Sequence, residues 1–124
     1  MRPVSSGGMA DVRTTLLAFA LSLPEAWEDH PWGESVAKVR SKVFVFFGSP
    51  GSGRMTVKLD ESQGHALSIE GAEPTGYGLG KSGWVTVPLA GRGVDLELLR
   101  DWVEESYRIV APRRLVTELD APST

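Results

Sequence analysis

Cysteine is absent from this 124-residue chain, and histidine occurs only twice. A disulfide framework, a thiolate zinc site and a cysteine nucleophile are therefore excluded. The length suffices for one domain to bury a core without covalent or metal staples. His30 and His65 lie on different segments with no His or Cys at ligand spacing, so neither a metal nor another cofactor is expected. Long apolar runs are also missing. The longest, positions 16–23, is broken by Ser22 and is too short to span a bilayer. It has neither the compact basic flank nor the cleavage site of a signal peptide. The expectation is a cytoplasmic chain with no membrane contact. An excess of positive charge is lacking as well: the net charge is −3, which speaks against an obvious nucleic-acid protein.

What is present is more informative by segment. Positions 31–92 hold seven basic and five acidic residues, a formal +2, so the surplus acid lies in the flanks. Positions 1–9 read as a flexible extension rich in Pro, Ser and Gly, 10–116 as a single domain, and 117–124 as a tail. Asp11 is placed to cap a first helix, whose stripe of Val12, Leu16, Phe19, Ala20 and Leu23 recurs at helical spacing until Pro24. Positions 25–33 read as a connector bent at His30-Pro31-Trp32-Gly33. A hairpin follows, 35–39 and 42–48 around Arg40-Ser41, then a Ser/Pro/Gly loop at 49–53. Strands are expected at 54–60 and 84–89, where hydrophobic residues alternate. Between them lie a short helical turn within 61–69 and a glycine-containing loop over 70–81. Asp95 caps a last helix with a buried stripe of Leu99, Trp102, Val103, Ser106 and Val110, ended by Pro112. A tail beginning at Arg113-Arg114 follows. The order α-β-β-β-β-α with short loops predicts an α+β fold. Its antiparallel sheet packs one face on the N- and C-terminal helices and leaves the other open.

The open face is the candidate site, and its composition depends on the hairpin. One side carries Ala37, Val39, Lys42, Phe44 and Phe46; the other carries Val36, Lys38, Val43, Val45 and Phe47. Both are apolar enough to be buried, so pattern alone does not set the facing. If Val43, Val45 and Phe47 join Val57 and Val85 in the core, the open face holds Lys42, Phe44, Thr56, Lys58, Trp84 and Thr86. Lysines interleaved with aromatic rings suit nucleic acid: the amines neutralise phosphates and the rings stack or wedge. The same lysines would also discourage edge aggregation. Phe44 and Trp84 would serve equally well as anchors for a protein partner.

The order and spacing of several short segments resemble the MmcQ/YjbR family of small proteins with a CyaY-like fold. They are Leu23-Pro24, His30-Pro31-Trp32-Gly33, Lys42-Val43-Phe44, Val57-Lys58-Leu59, Pro74 before Tyr77, Gly80-Lys81 ahead of Trp84-Val85, and Ser106-Tyr107. The likeness runs from Thr14 to Leu115. It implies the α+β fold argued above and a DNA-binding role through a double-wing arrangement; the reading adopted is a non-enzymatic module for double-stranded DNA. The positions it offers to a phosphate backbone are Lys42, Lys58 and Lys81, with Trp84 beside them; Arg40 at the hairpin turn is a further candidate. His30, Trp32, Ser106 and Tyr107 are its structural positions.

Other constellations carry less. Glu25, Glu28 and Asp29 form a small acidic group that reads as a solvated connector, with a hard cation as the alternative. The loop at 48–53 lacks the Lys-Ser/Thr and the following helix of a phosphate loop. His30 is expected to hydrogen-bond a backbone group at its bend. Ser106 has two readings: a back-bond to the carbonyl four residues earlier, or, together with Tyr107, a hydrogen bond to the sheet or to a ligand at its edge. A groove lined by Lys81, Trp84 and Tyr107 would be the place for a small molecule.

Overall fold

The computed structural model describes residues 9–48, 51–76 and 79–121, with the side chains of 9–11, 32, 79 and 80 outside that description. The expected N-terminal extension at 1–8, Ser49-Pro50 of the loop, Tyr77, the side chain of Trp32 and the end of the tail at 122–124 lie outside the described residues.

The first helix, α1, is Met9–Leu21. It starts ahead of Asp11, which is therefore in its first turn and not its cap. Leu16, Ala20 and Leu23 are buried, as their spacing predicts. The expected connector at 25–33 contains a strand, β1 (Ala26–Asp29), followed by a 3-10 turn at Pro31–Gly33. Strands β2 (Ser35–Val39) and β3 (Lys42–Gly48) form the hairpin about Arg40-Ser41, and β4 is Arg54–Lys58. A short helix α2, Gln63–Leu67, fills the expected helical turn. The following loop contains a two-residue strand β5 (Glu73–Pro74) and a 3-10 turn at Leu79–Ser82 before β6, Trp84–Pro88. Helix α3 is Leu96–Val110, and the Asp95 carboxylate accepts the Leu98 N–H at 2.9 Å as its N-cap. Where the tail was expected, Arg113–Asp120 is a further helix, α4, with Leu115 fully buried.

All strand pairings are antiparallel, in the order β1-β2-β3-β4-β6-β5. The fold class is α+β, as the sequence indicates, but with six strands instead of four. β1 and β5 escaped because they are short and lack apolar alternation, so backbone pairing alone makes them strands. One sheet face presents Val45, Phe47, Met55, Val57, Val85 and Val87 to the helices, where Leu99, Trp102, Val103 and Tyr107 of α3 complete the core.

The hairpin's facing is settled by a β-bulge. Ala37 pairs with Val45 and Lys38 pairs with Val43, which leaves Phe44 as the extra residue. A bulge breaks strict alternation. Phe44 and Val45 therefore both turn into the core, with Phe44 meeting the Tyr107 ring edge-on at 5.2 Å. Val43 goes to the open face beside Lys38, and Phe46 joins it there. The expected placement is thus reversed on the turn side of the bulge: Phe44 is in and Val43 is out, and Lys42, opposite the buried Val39, lies on the helix side of the sheet and not on the open face.

Candidate functional site: one row across the open sheet face

Registers place five residues on the open face: Trp27 opposite Lys38, Lys38 opposite Val43, and Lys58 opposite Trp84. In strand order the row reads Trp27, Lys38, Val43, Lys58, Trp84. A second row, one step along, is Asp29, Val36, Phe46, Thr56, Thr86 and Glu73. Threonine hydroxyls join its centre: Thr56 Oγ1 and Thr75 Oγ1 lie 2.9 and 3.1 Å from Thr86 Oγ1. Above them Trp84 packs edge-on against Phe46, centroids 5.4 Å apart.

The two lysines in the first row differ in their surroundings. Lys38 Nζ lies 5.1 Å from the Trp27 ring centroid and 2.9 Å from Asp29 Oδ2. The Lys38 ammonium, and then the His30 backbone N–H, hold the Asp29 carboxyl below its usual range. Trp27 is 44% exposed and donates its indole N–H to the Arg40 carbonyl. Lys58, by contrast, has no ion pair among the described residues, and neither have Lys42 and Lys81. Arg40 is paired with Glu25 at 3.1 Å, and Glu25 also meets Arg114.

Lys58 owes its position to Ser106. Continuing the β3–β4 register would bring Phe44 opposite Lys58, but the bulge parts the strands there. The Ser106 hydroxyl fills the gap: it accepts the Lys58 N–H at 2.9 Å and donates to the Phe44 carbonyl. One helix hydroxyl thus replaces a strand-to-strand bond, and two buried backbone groups stay satisfied. For Ser106 the bond from helix to sheet holds; for Tyr107 it does not. Next to it, Tyr107 donates its hydroxyl to the Pro24 carbonyl at 2.6 Å, tying α3 to the end of the α1 segment. Burial, helped by Glu118 and Glu25, pushes its phenol up, so it remains a donor.

Beyond Lys58 the chain is pinned from two sides. Leu59 N–H donates to the Gly83 carbonyl at 2.9 Å. Gly83 has φ +100, and a Cβ there would lie 2.7 Å from the Leu59 oxygen, so only glycine fits. Glu105 of α3 accepts the backbone N–H groups of Asp60 and Ser62 and the Ser62 hydroxyl, at 2.8, 3.2 and 2.6 Å. Burial alone would raise its carboxyl, yet these hydrogen bonds outweigh it and hold the group below its usual value. The result is a depression of about 330 Å³ at the end of the sheet, with Lys58, Asp60, Gln63, Lys81, Ser82 and Ile109 among its lining.

Of the residues singled out in the sequence, Lys58 and Lys81 come together here, and Trp84 stands opposite Lys58 on the sheet without lining the depression. Lys42 is exposed at the same end of the sheet, one strand away, while Arg40 is neutralised. Trp84 and Tyr107 do not line the groove suggested for a small molecule. The His30 ring meets the Glu28 carboxylate at 2.8 Å, not a backbone group. Glu25, Glu28 and Asp29 each face a different cationic or imidazole partner, and among the described residues no group of three His, Cys, Asp or Glu side chains is arranged to hold a metal ion. Among the described residues no helix is long and apolar enough to cross a membrane. Trp27, Lys38, Gly83 and Glu105 were not legible beforehand. Trp27 and Lys38 became neighbours only through β1, and the one available signal was the glycine directly before a strand.

The family model described as YjbR covers residues 21–109, from the end of α1 nearly to the end of α3. No curated protein matches the chain.

Proposed function

The chain belongs to the YjbR family, and from that premise we propose a non-enzymatic, cytoplasmic binding module that contacts the phosphate backbone of double-stranded DNA. The observation that carries this reading is the sorting of cations by partner. Among the described residues Lys38, Arg40, Arg54, Arg108 and Arg114 are ion-paired, while Lys42, Lys58 and Lys81, at one end of the sheet, are not; Arg92, Arg100 and Arg113, which also lack an ion pair, lie outside the sheet. Unpaired lysines are available to replace the counterions that DNA releases on binding, and Trp84 stands beside Lys58. Contacts of this type position a protein on a duplex without reading its sequence.

Anisotropy titration of a labelled duplex over a range of salt tests the reading. Three phosphate contacts give a log–log slope of roughly −2.7, and Lys58→Glu should weaken all duplex sequences alike. Absence of salt-sensitive binding at low ionic strength would sink it. A second reading, a protein partner on the same face, draws on the largely apolar depression of about 360 Å³ lined in part by Phe46, Thr56 and Thr75, and on exposed Trp27. It predicts binding that depends weakly on salt and is lost in Phe46→Ala.

A further inference from the structure

Two unpaired lysines in one depression imply a more particular ligand than a passing phosphodiester. We infer that the depression between the end of β4 and the start of β6 is a subsite for a phosphomonoester, held by Lys58 and Lys81. The inference rests on the reading of these lysines as anion-facing, and adds the class of anion. A phosphomonoester carries close to two negative charges at neutral pH and a backbone phosphodiester one; with two ammonium groups and one carboxylate, Asp60, in the lining, the dianion gains more from the lysines provided that Asp60 faces the sugar hydroxyls and not the phosphate. The remaining lining is not that of a bare ion site. Asp60 and Gln63 offer an acceptor and an amide for hydroxyl groups, and Ile109, 38% exposed, offers an apolar wall. That combination suits a nucleotide: phosphate at the lysines, sugar hydroxyls at Asp60 and Gln63, a carbon face against Ile109. The walls are also built rather than incidental. Gly83 and Ser106 fix the two strand ends, and Glu105 fixes the turn that carries Asp60.

The same group occurs on a free nucleotide and on a 5′-phosphorylated DNA end, so the test has two arms on the full chain. In the first, dTMP, thymidine and inorganic phosphate are titrated while amide signals are followed by NMR. Expected are shifts at Leu59, Asp60, Ser82 and Gly83 with dTMP, binding about tenfold tighter than thymidine, and a similar loss in Lys81→Gln. Lys81 is exposed, so that variant should keep the fold; Lys58→Gln is the second. In the second arm, duplexes with 5′-phosphate and 5′-hydroxyl ends are compared. A preference for the phosphorylated end supports the subsite with DNA as its source. No preference, with dTMP still bound, supports it with a free nucleotide as its source. Equal binding of dTMP and thymidine, or dTMP binding unchanged in both lysine variants, overturns it. Salt-sensitive binding of the 5′-hydroxyl duplex together with failure of dTMP would overturn the subsite alone. Loss of duplex binding with dTMP retained would overturn the DNA reading alone.

Discussion

The open face carries the same pair twice: Trp27 opposite Lys38 on β1 and β2, and Trp84 opposite Lys58 on β6 and β4. The backbone relation is the same, since Asp29 stands diagonal to Lys38 as Thr86 stands diagonal to Lys58. One difference in side chain separates them. Asp29 draws in the Lys38 amine, which settles against the Trp27 ring. Thr86 turns instead to the hydroxyls of Thr56 and Thr75, and Trp84 turns to Phe46. The first pair is internally satisfied, and in the second the lysine has no ion pair among the described residues. A lysine beside an aromatic ring is therefore not a binding signal by itself; the carboxylate within reach decides.

Breaking the support beneath the open pair should have the largest effect. Ser106→Ala leaves the Lys58 N–H and the Phe44 carbonyl without a partner, at a cost of about 2–3 kcal/mol, read by urea unfolding. Amide exchange should accelerate first at Lys58 and Leu59, with the β1–β2 pairing little changed. Gly83→Ala should cost a comparable amount, about 2–3 kcal/mol, by strain at the neighbouring pin.

Exchanging the deciding residue comes next. Thr86→Asp puts a carboxylate where Asp29 stands in the other pair, and should reduce the duplex salt slope by about 0.9 as Lys58 is neutralised. Some stability is lost with the threonine hydroxyls, so circular dichroism is needed to show that the sheet persists. Asp29→Asn is the converse: Lys38 loses its partner and duplex binding should strengthen. If Thr86→Asp binds like the parent, the diagonal carboxylate is not what separates the pairs.

The smallest effect is a titration. Asp29 is held below its ordinary value of 3.8 by Lys38 and the His30 N–H. A carboxyl with a depressed folded value stabilises the fold above its unfolded value, and that contribution is lost as the pH falls through the folded one. The change is thus confined to acid below about pH 4. Carboxyl NMR should place the Asp29 midpoint below 3.8, and Lys38→Gln should move it upward. Asp29 titrating normally in the parent would show that the closed pair is open in solution.

Helices α1 and α3, the Asp95 cap, the central hairpin and strands β4 and β6 were legible in the sequence because each follows from local periodicity or a cap residue. So were the family and the antiparallel α+β plan. What local pattern could not reach was the edge strand β1, whose Ala-Trp-Glu-Asp becomes a strand only by pairing with β2. Nor could it reach the bulge at Phe44, since both sides of the hairpin were apolar. Lys58, Lys81 and Trp84 were nameable as chemistry, but the grouping of the two lysines apart from Arg40 was not.

The sequence by itself determined the elements and the kinds of group the open face would carry, because helix and strand periods are written residue by residue. Only the tertiary structure decided which lysines are free. An ion pair depends on a carboxylate brought near from another strand, and a bulge held by one helix hydroxyl sets which side of the hairpin faces out.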